Sequence, residues 1–119
     1  MPAGDRVRAG LLFDLYGALL TEHQQDVWQL YYLDDWSLAE IGVAQQISRA
    51  AVHDLLERTE RILEDYEQRL GLLRAHERRV RYLSDALKQI GQLQADDHRV
   101  LAARAAIRQL AQEEGLSDV

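Results

Sequence analysis

Residues 36–52 read Trp36-Ser37-Leu38-Ala39-Glu40-Ile41-Gly42-Val43-Ala44-Gln45-Gln46-Ile47-Ser48-Arg49-Ala50-Ala51-Val52. Ser37 stands directly before a periodic apolar run and has Glu40 three residues on, the spacing at which hydroxyl and carboxylate each satisfy one orphan amide of a helix start. The helix it opens is short, with Leu38, Ile41 and either Val43 or Ala44 facing inward, and a turn over residues 45–47 closes it. Ser48 then caps a second helix. Two helices joined by so tight a turn have the outline of a helix-turn-helix, a motif whose DNA-reading members lay the first turns of the second helix in the major groove.

Upstream, Leu11, Leu12, Leu15, Tyr16, Leu19 and Leu20 recur at helical spacing and predict a first helix with one apolar face over residues 7–20. Thr21 reads as the cap of a second helix whose inward face is Val27, Leu30 and Tyr31 with Trp28, and which Asp34 and Asp35 end. Trp28 and Trp36 both read as core anchors of this head. Downstream, Val52, Leu56, Thr59, Leu63, Tyr66, Leu70 and Leu73 alternate spacings of four and three, a heptad seam. Unbroken to Leu73, such a helix would be roughly 40 Å long, more than a three-helix head covers. Later helices, with apolar positions at Val80, Leu83, Leu87, Ile90 and Leu93 and then Val100, Leu101, Ile107 and Leu110, or a second copy of the chain must bury its far end. A homodimer through the seam is the expectation. Gly71, Gly91 and Gly115 are the predicted breaks or caps, and Asp96-Asp97 reads as a helix start or stop.

The fold class that follows is all-α: a helix-turn-helix head over residues 1–60, then a helical extension over residues 61–119 that packs on the head or on a second subunit. Composition agrees, since the single proline is Pro2, 47% of residues are hydrophobic and 29% are charged, and no alternating strand-like runs occur. There is no cysteine, so disulfides, thiolate nucleophiles and the usual zinc-finger frameworks are excluded. Residues 1–12 hold Asp5, Arg6 and Arg8 and no long apolar stretch, and no run is long enough to span a bilayer, so a cytoplasmic setting is expected. The charge is unusual for a nucleic-acid reader. The net value is −6, with two basic against seven acidic residues over 1–47 and twelve against thirteen over 48–119.

Three stretches carry a family resemblance. Leu20-Thr21-Glu22, Val27-Trp28-Gln29-Leu30-Tyr31-Tyr32, and Trp36 through Ile41 with Ile47 through Val52 resemble the DNA-binding fourth region of bacterial sigma factors. The continuation from His53 to Leu70 and the opening Phe13-Asp14-Leu15-Tyr16-Gly17-Ala18-Leu19-Leu20-Thr21 resemble the YlxM family of small helical proteins. Membership implies a sigma-like helix-turn-helix, a cytoplasmic bacterial setting, self-association, a regulatory role linked to the signal recognition particle pathway, and no established catalytic residue. Two positions depart from the family pattern: Gln45 replaces a large apolar residue, and Gln46 replaces Gly or Asn. A left-handed backbone at Gln46 would cost on the order of 1 kcal/mol, so a rebuilt turn is expected. Gly42 replaces the usual Ala where the two helices touch, at about 1 kcal/mol in helix propensity.

As a DNA reader the second helix would present Arg49, Ala50, His53, Asp54 and Glu57 outward while Val52 and Leu56 face the core. Ser48, Arg49, Ala50, His53 and Arg58 are the candidate nucleic-acid contacts, with Arg49 suited to guanine or phosphate and Ser48 with the helix N-terminus suited to phosphate. Against this, residues 21–58 hold two arginines and seven carboxylates. The alternative is a protein-interaction module whose helix-turn-helix no longer meets DNA. Arg74, Arg78, Arg79 and Arg81 with His76 make a second candidate patch for RNA or an acidic protein, such as a component of the signal recognition particle, with a solvated arm beside the acid-rich stretch over residues 57–67 as the alternative. No metal, cofactor or catalytic constellation is expected: the four histidines are scattered, and His53 with Glu57 makes at most half a metal site.

Overall fold

The computed structural model describes residues 6–93 and 97–115, which form α-helices and, among the described residues, no strand. The helices are α1 (Arg6–Tyr16), α2 (Glu22–Tyr32), α3 (Leu38–Gln45), α4 (Arg49–Leu70), α5 (Leu72–Gly91) and α6 (His98–Glu113), with a 3-10 turn at Gly17–Leu19 between the first two. The apolar run over residues 7–20 is therefore not one helix. Its face divides: Leu12, Tyr16 and Leu20 are buried, while Leu15 within α1 and Leu19 in the 3-10 turn are exposed.

Helix starts follow the caps read from the sequence. Thr21 and Ser37 each form a full capping box, with Gln24 and Glu40 respectively as the returning side chains. Ser48 accepts from the Ala51 amide at 3.0 Å, and Asp97 accepts from Arg99 at the start of α6. Asp96 lies outside the described residues.

The chain divides into two compact units, one running to Leu73 and the other from Arg74 onward. The first reaches past residue 60 because α4 stays buried well beyond it. Val52, Leu56, Thr59 and Leu63 pack with Leu12, Tyr16, Val27, Trp28, Tyr31 and Ile41 in one core. The heptad seam is thus head core over most of its length and is not free to pair two copies of the chain. It leaves the core at two later positions, with Tyr66 half-buried and Leu70 58% exposed while Glu67 is 3% exposed, and returns at Leu73, 1% exposed. Beyond Leu63 the core contact passes to Glu67, which the Tyr16 hydroxyl of α1 meets, while Leu70, the last residue of α4, is left outside it. Gly71, left-handed at φ 66, ends α4, so the helix spans roughly 33 Å at 1.5 Å per residue.

Glu67 is buried with partners. The Tyr16 hydroxyl donates to its Oε1 at 2.7 Å and the Leu73 amide donates to the same oxygen at 2.8 Å. The Leu72 amide donates to the Tyr16 hydroxyl at 3.1 Å. One carboxylate and one phenol thereby satisfy the first amides of α5, which no helix can satisfy internally. Glu67, at the end of the acid-rich stretch over residues 57–67, is therefore part of the core. Glu64 also belongs to the packing of the head, forming a two-pronged pair with Arg8 of α1, both contacts at 2.7 Å.

In the second unit α5 and α6 run antiparallel. Glu114, just past α6, meets His76 and Arg79 near the start of α5, and Arg104 in the middle of α6 donates to the Ile90 carbonyl near the end of α5. Residues 74–81 are helical rather than bent.

Candidate nucleic-acid interface

The two helices of the motif are set by one turn. Gln46 adopts the left-handed conformation, φ 60 and ψ 39, and its amide with that of Ile47 returns to the last carbonyls of α3. Ile47 N–H donates to the Gly42 carbonyl at 3.0 Å and Gln46 N–H to that of Val43 at 3.3 Å, the paired return bonds of a Schellman ending. The turn is not rebuilt: glutamine occupies the left-handed position that glycine or asparagine fills more cheaply. Gly42 explains how the helices come so close. A Cβ there would lie 2.8 Å from the Ile47 carbonyl oxygen, which is backbone and cannot swing aside.

This turn fixes which side chains α4 presents. Ser48, Arg49 and Ala50 are exposed, as are Asp54, Glu57 and Arg58, while His53 is half-buried and Val52 is fully covered. The candidate contacts Ser48, Arg49, Ala50 and His53 therefore do share one end and one side of α4. They differ in electrostatic state. Arg58 pairs with Asp54 one turn earlier at 3.2 Å and is partly neutralised within its own helix, and His53 lies 3.6 Å from Glu57. Arg49 has no ion-pair partner among the described residues. No third ligand joins His53 and Glu57, since no group of three or more metal-binding side chains forms among the described residues.

The outward side of α3 differs from expectation. Val43 and Ala44 do not pack inward. Val43 is 82% exposed and Ala39 and Ala44 are exposed beside it, because Ile41 and Gly42 take the buried positions and leave residues two places away on the opposite side. Trp36 is exposed as well, so only Trp28 anchors the core. Leu38, Arg49, Ala50 and His53 line a shallow, mostly apolar hollow between the two helices of the motif.

At the other end of α1, Arg6 holds the loop that leads into α3. It pairs with Asp35 at 3.1 Å, donates to the Tyr32 carbonyl and lies over the rings of Tyr31 and Tyr32. Burial, with Glu60 nearby, pushes the Tyr32 phenol up to about 12.

Of the basic cluster on α5, Arg79 is committed: it donates to Glu114 at 2.7 Å, and His76 meets the other oxygen of that carboxylate at 2.6 Å. The Arg79 hydrogen bond, then that of His76, holds the Glu114 carboxyl below its ordinary value. Arg74, Arg78 and Arg81 recur at four- and three-residue spacing on one exposed side of α5, which Arg79 does not share. Sequence reasoning missed Glu67, Glu64 and Arg8. Continuing the buried line four residues on from Leu63 would have found Glu67; nothing local singles out the Arg8–Glu64 pair, whose members are 56 residues apart.

A short capped helix, a tight turn and a second capped helix whose first turns are bare define a helix-turn-helix protein. The comparisons place it further. Residues 4–103 match the UPF0122 family, described as "Putative helix-turn-helix protein, YlxM / p13 like", and the chain belongs to that family. It is 55% identical over 74 residues to a UPF0122 protein of Symbiobacterium thermophilum, covering 62% of this chain and 69% of that one. A UPF0122 protein of Geobacillus kaustophilus is 53% identical over 72 residues, covering 60% and 66%. One from Caldanaerobacter subterraneus is 51% identical over 67 residues, covering 56% and 57%. The chain thus spans between 57% and 69% of the length of these relatives. Among the described residues no helix is long and apolar enough to cross a membrane.

Proposed function

We propose that this protein is a non-enzymatic helix-turn-helix regulator that docks the first turns of α4 on duplex DNA and acts in connection with the signal recognition particle pathway. The observation that carries the reading is the state of Arg49. It is exposed, lacks an ion-pair partner among the described residues and stands one residue after the Ser48 cap, where the exposed N-terminus of a 22-residue helix favours an anion. Arg49 would meet guanine or phosphate, the Ser48 end of the helix a phosphate, and Ala50 and His53 the groove floor. The pathway connection rests on the family resemblance alone.

The charge of the head limits the strength of such binding, since few phosphates are neutralised. Each phosphate contact contributes roughly −0.9 to the slope of log affinity against log salt, so a slope near −1 to −2 is expected. Fluorescence anisotropy with duplex DNA at about 50 and 200 mM salt tests this. Weak binding at the lower salt, lost at the higher salt and lost with Arg49→Glu, supports the reading. No binding at either salt by a folded protein overturns it.

A second reading has its own observation. Val43, Ala39 and Ala44 give α3 an apolar outward side where a phosphate-crossing helix would carry polar groups, and α3 carries no basic residue. On this reading the head contacts a protein and Arg49 is dispensable. A partner retained by Arg49→Glu but lost with Val43→Glu would favour it.

A further inference from the structure

The hollow between α3 and α4 has two unlike parts. Leu38, half-buried at the start of α3, and Ala50, exposed in the first turn of α4, give it an apolar lining. Arg49 stands beside them, exposed and without an ion-pair partner among the described residues, at the end of α4 where the helix dipole is positive. A hollow so built fits a small apolar group carried on an anion. Duplex DNA has one such group in its major groove, the C5-methyl of thymine, which contacts alanine and other apolar side chains; guanine offers there the O6 and N7 acceptors that arginine takes as a pair. No other base carries an apolar group on that edge. RNA fits less well, because the major groove of its A-form duplex is too narrow for side chains to read.

We propose that Leu38 and Ala50 receive the C5-methyl of a thymine next to the guanine that Arg49 contacts, so that the head prefers duplex sites in which guanine and thymine are neighbours. The assignment rests on the docking of α4 proposed above and names what that docking discriminates. Spacing makes the two bases neighbours: successive Cα atoms are about 3.8 Å apart and successive nucleotides of a strand about 3.4 Å, so residues 49 and 50 reach adjoining steps of the groove. With few phosphates neutralised by an acidic head, one apolar contact is a large share of the discrimination available to it.

Enrichment of a random-sequence duplex pool on the full chain at about 50 mM salt, followed by anisotropy with the recovered duplex, tests it. The recovered duplexes should share a guanine with a thymine beside it. Replacing that thymine by uracil removes only the methyl and should weaken binding about fourfold, the worth of one buried methyl. Ala50→Ser, an exposed position with charge unchanged, should bind the thymine and uracil duplexes alike, with helix content by circular dichroism unchanged. Equal affinity of the wild type for the two duplexes overturns the assignment while leaving the docking of α4 standing, and so does a recovered set with no thymine beside guanine. An Ala50→Ser variant that keeps the fourfold difference overturns it as well. Recovery of no duplex by the folded protein overturns the docking and the assignment together.

Discussion

Gly42 and Gln46 lie in one turn under opposite demands. At Gly42 any side chain meets the Ile47 carbonyl at 2.8 Å, so Gly42→Ala is expected to lower stability by about 1 to 3 kcal/mol through overpacking, although alanine is favoured by about 1 kcal/mol in helix propensity. At Gln46 the backbone is left-handed, and Gln46→Gly is expected to raise stability by up to about 1 kcal/mol. Urea unfolding of both variants reads the two signs. Two tyrosines make a similar contrast. Tyr16→Phe removes the phenol that donates to buried Glu67 and accepts from the Leu72 amide, at a cost of about 1 to 3 kcal/mol. The Tyr32 hydroxyl is buried with no hydrogen-bond partner among the described residues, so Tyr32→Phe should be neutral or stabilising by the same measurement. With the Tyr32 phenol raised from 10.0 to about 12, the stability linked to its neutral form is complete below pH 10 and is lost as pH rises toward about 12.

Between elements, the Arg8–Glu64 pair ties α1 to α4. The Arg8 hydrogen bond holds the Glu64 carboxyl below its ordinary 4.5. A lowered carboxylate stabilises the fold in full above its unfolded value, so this contribution is complete above about pH 4.5 and falls away as pH drops through the lower folded value. Both side chains are nearly half exposed, which limits the pair to a fraction of a kcal/mol, about 0.2 to 1. Glu64→Gln should be less stable than wild type by that amount at pH 7, and the gap in urea midpoint should close in acid. The elements themselves were largely legible in the sequence, because Thr21, Ser37, Ser48, Asp97 and Gly71 act through local chemistry at helix ends. What was not legible depends on rotation and distance. The heptad spacing marked Tyr66 and Leu70 as core, yet the buried place near the end of α4 goes to Glu67, through hydrogen bonds from Tyr16 and Leu73 that spacing does not report. Val43 and Trp36 look apolar enough for the core but face outward, and hydrophobicity alone does not report which side of a short helix its neighbours leave open. For the candidate site the residue set Ser48, Arg49, Ala50 and His53 was readable from the motif, whereas the pairing of Arg58 with Asp54 and of Arg79 with Glu114 needed the fold.

Across the whole molecule the deciding quantity is charge. With a net value of −6, long-range attraction to a polyanion is absent, and any duplex affinity must come from the few groups at the α4 tip. Removing one opposing carboxylate should therefore matter more than usual. Asp54→Asn releases Arg58 from its pair and deletes a repelling charge, and a severalfold gain in duplex affinity by anisotropy at low salt is expected. The most direct test of the central claim is a map of amide chemical shifts in nitrogen-15 NMR spectra as duplex DNA is added. The account predicts progressive shifts at Ser48, Arg49, Ala50 and His53 with α5 and α6 unmoved; no shift at the α4 tip, or shifts confined to other helices, would contradict it.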